Sequence, residues 1–187
     1  MKNVFVVLFL ASSILFMGCS STNYTYHEKP TTIKKGVTRY YLKNTAVNLK
    51  LEQGAIEGDK TFASQDMLTG QFKKSLMEHL TDKKLLAANE KSSDAVLEIK
   101  INFIRTFNYG GKALNKPKFS YSVEVKKNEK LLVSYNVPEQ VPTKGSDILD
   151  IAYNAKIAAF QRGAADELVD VDYISKKISE EIAGIGN

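Results

Sequence analysis

The chain has 187 residues, of which 43% are hydrophobic and 25% charged, and it contains a single cysteine. This length fits one domain with a substantial core, and a lone cysteine excludes an internal disulfide. The formal charge of +5 is a modest excess, which permits contact with anionic partners without requiring it.

The start of the chain has the layout of a secretory signal peptide. Lys2 supplies a positive charge, and residues 4–17 are apolar apart from two serines. This run is shorter than the roughly 20 apolar residues that a membrane span needs. We therefore predict that residues 1–18 are a signal peptide.

Gly18 and Cys19, at the end of the apolar run, resemble the lipobox of bacterial lipoproteins. In that family the cysteine receives a diacylglycerol and becomes the new N-terminus. The resemblance implies an anchor at acylated Cys19, and two or more acyl chains make such anchoring stable. Ser20, in place of an aspartate, implies delivery to the outer membrane. Two alternatives remain, an ordinary signal peptide with a cysteine near its cleavage site and a free buried cysteine.

Residues 19–36 are predicted to form a lipid-anchored flexible tether. They are mostly polar and show neither helical nor strand periodicity. Fully extended, Ser20 to Gly36 would reach roughly 55 Å, and as a flexible coil nearer 20–25 Å. The folded domain is predicted to occupy residues 37–187.

The domain is predicted to begin with a strand and a helix. Residues 47–51 alternate between apolar and polar, which is typical of a half-buried strand. Ser64 is a suitable N-cap for the helix that follows. One face of this helix carries apolar residues at every fourth position: Leu68, Phe72, Leu76 and Leu80.

Three strands and two helices are predicted to follow. Residues 97–103 and 119–125 alternate, and a tight turn at 127–130 leads into a third strand of an antiparallel meander. A helix is predicted over residues 146–168, with small residues suited to packing on the sheet, and a last helix from Asp170 or Asp172. These elements predict an α+β fold, a small α/β sandwich with a mostly antiparallel sheet and helices on one face.

Several stretches of this layout resemble the YajG-type bacterial lipoproteins. They are SQDML, DAVLEIKI, SYSVEV, YNVPEQ, and DILDIAYNA running on to VDVDYISKKI. The resemblance implies an envelope lipoprotein with a small α/β sandwich. That family has no established catalytic residues, so none is transferred to this chain.

The residues themselves offer little catalytic or metal chemistry. His27 lies in the predicted tether, and His79 is expected to be a helix-flank residue without further ligands at metal spacing. The adjacent acids Asp166–Glu167 and Glu180–Glu181 are expected to be solvated charges. We predict no catalytic residue, no metal and no cofactor.

The predicted contact residues lie on the strands. They are Glu98, Lys100 and Asn102 on the outward side of one strand, and Lys126, Lys127 and Lys130 at a hairpin tip. We predict a non-catalytic binding or assembly module at the periplasmic face of the outer membrane, with an envelope protein or glycolipid as partner. The alternatives are an enzyme that modifies the cell wall or a glycolipid, and a surface-exposed structural lipoprotein. Nucleic acid is not expected as a partner of an exported chain.

Overall fold

The computed structural model describes residues 25–187 except 31, 53, 57, 109 and 144–146, and for residues 147–149 only the backbone. The predicted signal peptide and Cys19 lie outside the described residues. The described chain has the predicted α+β fold. Its strands are β1 (Thr25–Glu28), β2 (Tyr40–Leu51), β3 (Ala95–Arg105), β4 (Lys118–Lys127) and β5 (Lys130–Gln140), and its α-helices are α1 (Gln65–Asp82), α2 (Asp147–Ala158) and α3 (Ala164–Gly184).

The strands form one mixed sheet in the order β1-β5-β4-β3-β2. Strands β3, β4 and β5 make the predicted antiparallel meander, and Lys127 lies opposite Lys130 at its hairpin, as expected. Strand β2 instead pairs in parallel with β3, which places Leu51 beside Arg105. A parallel pair needs a crossover connection, and α1 provides it.

Helices α1 and α3 bury one face of the sheet. Ser64 caps α1 as predicted, since its side chain accepts a hydrogen bond from the backbone N–H of Met67. The Phe72 and Phe103 rings pack edge to face with centroids 5.8 Å apart. The predicted apolar stripe of α1 is buried in the core, and α3 buries a stripe with the same four-residue spacing: Ile174, Ile178 and Ile182.

The boundary between the last two helices differs from the prediction. Helix α2 ends at Ala158, ten residues earlier than expected, and α3 begins after Gly163 instead of at Asp170 or Asp172. Between them Phe160 has a φ of 55°, in the left-handed region that ends a helix. Periodicity missed the break because small and apolar residues continue across it without a proline.

The small residues of α2 do not pack on the sheet, contrary to the prediction. Ala155, Ala158 and Ala159 are exposed. The helix instead buries Tyr153, whose hydroxyl donates a hydrogen bond to Asp170 at 2.7 Å. Because an alanine has little apolar area to bury, these residues did not determine which side of α2 faces inward.

Part of the predicted tether belongs to the fold. Thr25–Glu28 forms β1, which pairs antiparallel with β5 and sets the Tyr26 ring edge-on to Tyr135. Ile33 is buried, and its carbonyl accepts a hydrogen bond from Asn187 N at 3.2 Å. The ordered chain therefore starts well before residue 37. Four strand residues at a sheet edge were too few to show an alternating pattern.

Candidate binding face

The sheet face opposite the helices, termed the outer face, is polar and partly exposed. Strand alternation places Glu98, Lys100 and Asn102 there, because their sequence neighbours point into the core. Asn102 Nδ2 donates to Ser120 Oγ at 3.0 Å, and Asn102 Oδ1 accepts from Asn48 Nδ2 at 3.3 Å. The predicted strand residues thus share one surface with a hydrogen-bonded row that crosses three strands.

Lys126 joins the hairpin to the outer face. Its Nζ lies 3.0 Å from Glu98 Oε2 and 2.8 Å from Glu124 Oε2. Hydrogen bonds to Glu124 and to Glu98 raise the pKa of Lys126, and the hydrogen bond from Lys126 lowers the pKa of Glu124. Both shifts favour the ionised forms of Lys126 and Glu124, and the contact sets two carboxyl groups against one ammonium. Lys126 is thus held between these two acids instead of standing free at the hairpin tip.

A cleft of about 490 Å³ lies at the hairpin end of the sheet, which is the end that carries residues 127–130. The turn residues Asn128 and Glu129 have φ values of 49° and 63°, the left-handed pair typical of two-residue hairpins. Charges of both signs line the cleft: Lys43, Glu90, Lys91, Asp94, Glu98, Lys126, Lys127 and Glu129. Such a lining suits a partner that presents both donors and acceptors.

The cleft and the outer face together bring most of the predicted contact residues near one another. Lys130 lies opposite Lys127 in the hairpin register. The others divide between the two places, with Glu98, Lys126 and Lys127 in the cleft and Lys100 and Asn102 farther along the outer face. From the sequence alone the strand and the hairpin are separate candidates, because strand alternation does not reveal the pairing register. That register brings Lys126 beside Glu98.

Two buried ion pairs lie at the opposite end of the sheet. Arg105 Nε and Nη2 bind the two carboxylate oxygens of Glu167 at 2.6 and 2.9 Å. Close by, Arg162 Nη2 binds Asp170, which also accepts the Tyr153 hydroxyl. These pairs fix the first turns of α3 to the sheet and to α2. A buried ion pair at Arg105 could have been predicted from the sequence. Arg105 continues the inward alternation of residues 97–103, and a buried charge needs a partner.

The acidic pairs on α3 are not simply solvated, which corrects the prediction. Glu167 is buried, as its ion pair requires. Glu181 is partly buried and accepts a hydrogen bond from the Tyr121 hydroxyl of the sheet. Burial raises the pKa of Glu181, although that hydrogen bond acts in the opposite direction. Neighbours in sequence face different ways on a helix, so one acid of each pair turns inward.

His79 takes part in a polar contact between α1 and α3. Its Nε2 lies 2.8 Å from Asp172 Oδ1, and the same oxygen accepts a hydrogen bond from Ser75 Oγ at 3.0 Å. In a hydrolytic triad the histidine stands between the serine and the carboxylate. Here the carboxylate stands between the other two groups, so the contact links α1 to α3.

Comparison with known proteins gives distant structural similarity. No protein-family model matches the chain, and no curated protein sequence matches it significantly. A PelC dodecamer structure from Paraburkholderia phytofirmans is 10% identical and covers 75% of this chain and 97% of its own, with a TM-score of 0.40. A minor lipoprotein from Acinetobacter baumannii is 11% identical, covers 75% and 92%, and has a TM-score of 0.34. A DUF330 protein from Xanthomonas campestris is 15% identical, covers 84% and 96%, and has a TM-score of 0.38.

The helices were also compared with the requirements of a membrane span. Across the part of the chain that the structure describes, every helix is too short or too polar to cross a bilayer.

Proposed function

We propose that this chain is a lipid-anchored lipoprotein of the bacterial envelope whose α+β domain is a non-catalytic binding or assembly module. Its place would be the periplasmic face of the outer membrane, as the lipobox resemblance at Gly18–Cys19 and Ser20 implies. The YajG-type resemblance supports the same class. The observation that carries the binding role is the polar outer face together with the charged cleft beside it.

The outer face is suited to contact with a polar partner. Its amide and hydroxyl row is held in place by side-chain hydrogen bonds, so a partner would meet groups whose positions are already fixed. The Lys126 trio adds opposite charges a few ångströms apart. Anchoring raises the effective concentration for partners in the same envelope layer, even where each contact is weak. We infer that the partner is an envelope protein or a glycolipid.

The anchor is tested by Cys19→Ala in the producing cell. We expect loss of labelling by radioactive palmitate, because no acyl chain can be attached, and a protein that either stays unprocessed or becomes soluble. Ser20→Ala is the matched control and should label normally. A Cys19→Ala protein that fractionates with membranes as the parent does would contradict the anchored function.

The binding face is tested by site-specific photo-crosslinking in native membranes. A photoreactive residue at Asn102 reports on the outer face, and one at Lys74, 80% exposed on α1, is the matched control on the helical side. We expect a discrete crosslinked product from position 102 and none from position 74. Equal products from both positions would contradict a specific outer face. Turnover of a cell-wall substrate by the purified protein would overturn the non-catalytic role.

A further inference from the structure

The direction of β1 limits how the domain sits above a membrane. Residues 19–25 span roughly 20 Å at most, so an acylated Cys19 stays within that distance of Thr25. Thr25 pairs with Asn136 and Glu28 with Ser134, so β1 enters the sheet from the Gln140 side of β5. Only about four residues of β5, roughly 13 Å, separate the level of Asn136 from that end of the sheet.

The end that β1 enters from is termed the loop end, and it consists of the described residues within 51–63, 106–117 and 141–163. Its loops are joined to one another. Leu114 N donates to the Arg162 carbonyl at 3.0 Å, and Asn108 Nδ2 donates to the Ile157 carbonyl at 2.9 Å. Gly111 and Ile56 are also neighbours, because a Cβ atom built onto Gly111 would lie only 3.4 Å from Ile56 Cγ1. The three segments therefore form one continuous surface.

The loop end exposes large apolar side chains. Ile151 is 66% exposed, and Phe160, in the turn between α2 and α3, is 61% exposed. Other exposed apolar residues of this end are Leu51, Ile56 and Val141. Exposed apolar residues that lie together mark a contact surface on a protein, and apolar side chains such as phenylalanine and leucine bury at the boundary between lipid headgroups and acyl chains.

We propose that the loop end rests on the bilayer, with Phe160 and Ile151 inserted among the lipid headgroups. This inference depends on the proposed anchor at Cys19. A bilayer is favoured over a second copy of the chain because β1 begins on the side of β5 that faces this end. To bring the hairpin end to the membrane, the segment between Cys19 and Thr25 would have to be fully extended and to run opposite to the direction set by β1. The hairpin cleft then points away from the membrane, toward partners in the periplasm.

The test uses the absence of tryptophan from the chain. Phe160→Trp and Ile151→Trp place single reporters at the loop end, and Val37→Trp, at a residue 66% exposed near the hairpin end, is the matched control. The acylated proteins are incorporated into phosphatidylcholine vesicles whose acyl chains carry bromine, a short-range quencher. Flotation of the vesicles reports the anchor separately from the quenching.

We expect the reporters at positions 160 and 151 to lose most of their emission in brominated vesicles, and the reporter at position 37 to keep its emission. Flotation without quenching at positions 160 and 151, or with equal quenching at position 37, would overturn the lipid contact and leave the anchor standing. Failure to float would overturn the proposed anchor and the contact with it. A dimer in detergent that shields position 160 while vesicles give no quenching would assign this end to a second copy instead.

Discussion

The two faces of strand β3 differ in nearly every respect. Leu97, Ile99 and Phe103 are buried against α1 and α3, whereas Lys100 and Asn102 on the same strand are exposed. The inner side holds the fold together by burial of apolar area, whereas the outer side buries little apolar area and so contributes less to stability. Residues one position apart are therefore expected to give opposite phenotypes, loss of stability on one side and loss of binding on the other.

The largest effect is expected on the inner face. Phe72→Ala removes a fully buried ring that packs on Phe103, and we expect it to lower the free energy of unfolding by about 3–5 kcal/mol. Chemical denaturation measures this loss. Lys74→Ala on the exposed side of α1 should change the stability by no more than about 0.5 kcal/mol. Equal effects of the two substitutions would show that α1 packs through a different face.

Substitution of Glu167, a buried charge at the edge of the inner face, is expected to lower the stability nearly as much. Glu167→Ala leaves the Arg105 guanidinium without its carboxylate, and we expect a loss of about 3 kcal/mol or more in the free energy of unfolding. The double variant Arg105→Met/Glu167→Leu should recover much of that loss, because it removes both charges. A single variant as stable as the parent would show that water or another acid already compensates Arg105.

Charge reversal on the outer face separates the hairpin lysines. Lys126→Glu places a third carboxylate beside Glu98 and Glu124, and we expect a loss of roughly 0.5–1 kcal/mol in stability. Lys127→Glu/Lys130→Glu should leave the thermal midpoint unchanged and weaken the Asn102 crosslink. A double variant that crosslinks as the parent does would exclude the hairpin lysines from the contact.

The smallest effect concerns a carboxyl between the two layers. Burial raises the folded-state pKa of Glu181 above its ordinary value, so the folded protein binds this proton more tightly than the unfolded chain. Ionised Glu181 therefore destabilises the fold at neutral pH, and this penalty fades as the pH falls through the raised pKa. Glu181→Gln should melt slightly higher than the parent at pH 7, with the difference shrinking in weak acid. A difference that is constant with pH would contradict the raised pKa.

Local patterns in the sequence predicted the strands, the helical faces and the hairpin. Alternation at residues 97–103 and the four-residue spacing from Leu68 to Leu80 depend on only one element each, so the sequence carries them fully. The helix break at Phe160 was missed because its left-handed residue is neither glycine nor asparagine. Strand β1 was missed because its four residues are held by pairing with β5 and not by a pattern of their own.

The candidate binding face likewise combines features that the sequence predicts with features that only the tertiary structure reveals. The outward position of Glu98, Lys100 and Asn102 follows from strand alternation and was available from the sequence. Tertiary structure alone decided that Lys126 bridges Glu98 and Glu124, and that Arg105 meets Glu167 across 62 positions of the chain. It also decided that β1 begins on the Gln140 side of β5. Periodicity specifies which side of an element faces the core, because that depends on neighbours within a few residues. Contacts between residues of different elements depend on strand order and register, which are defined only once the sheet has formed.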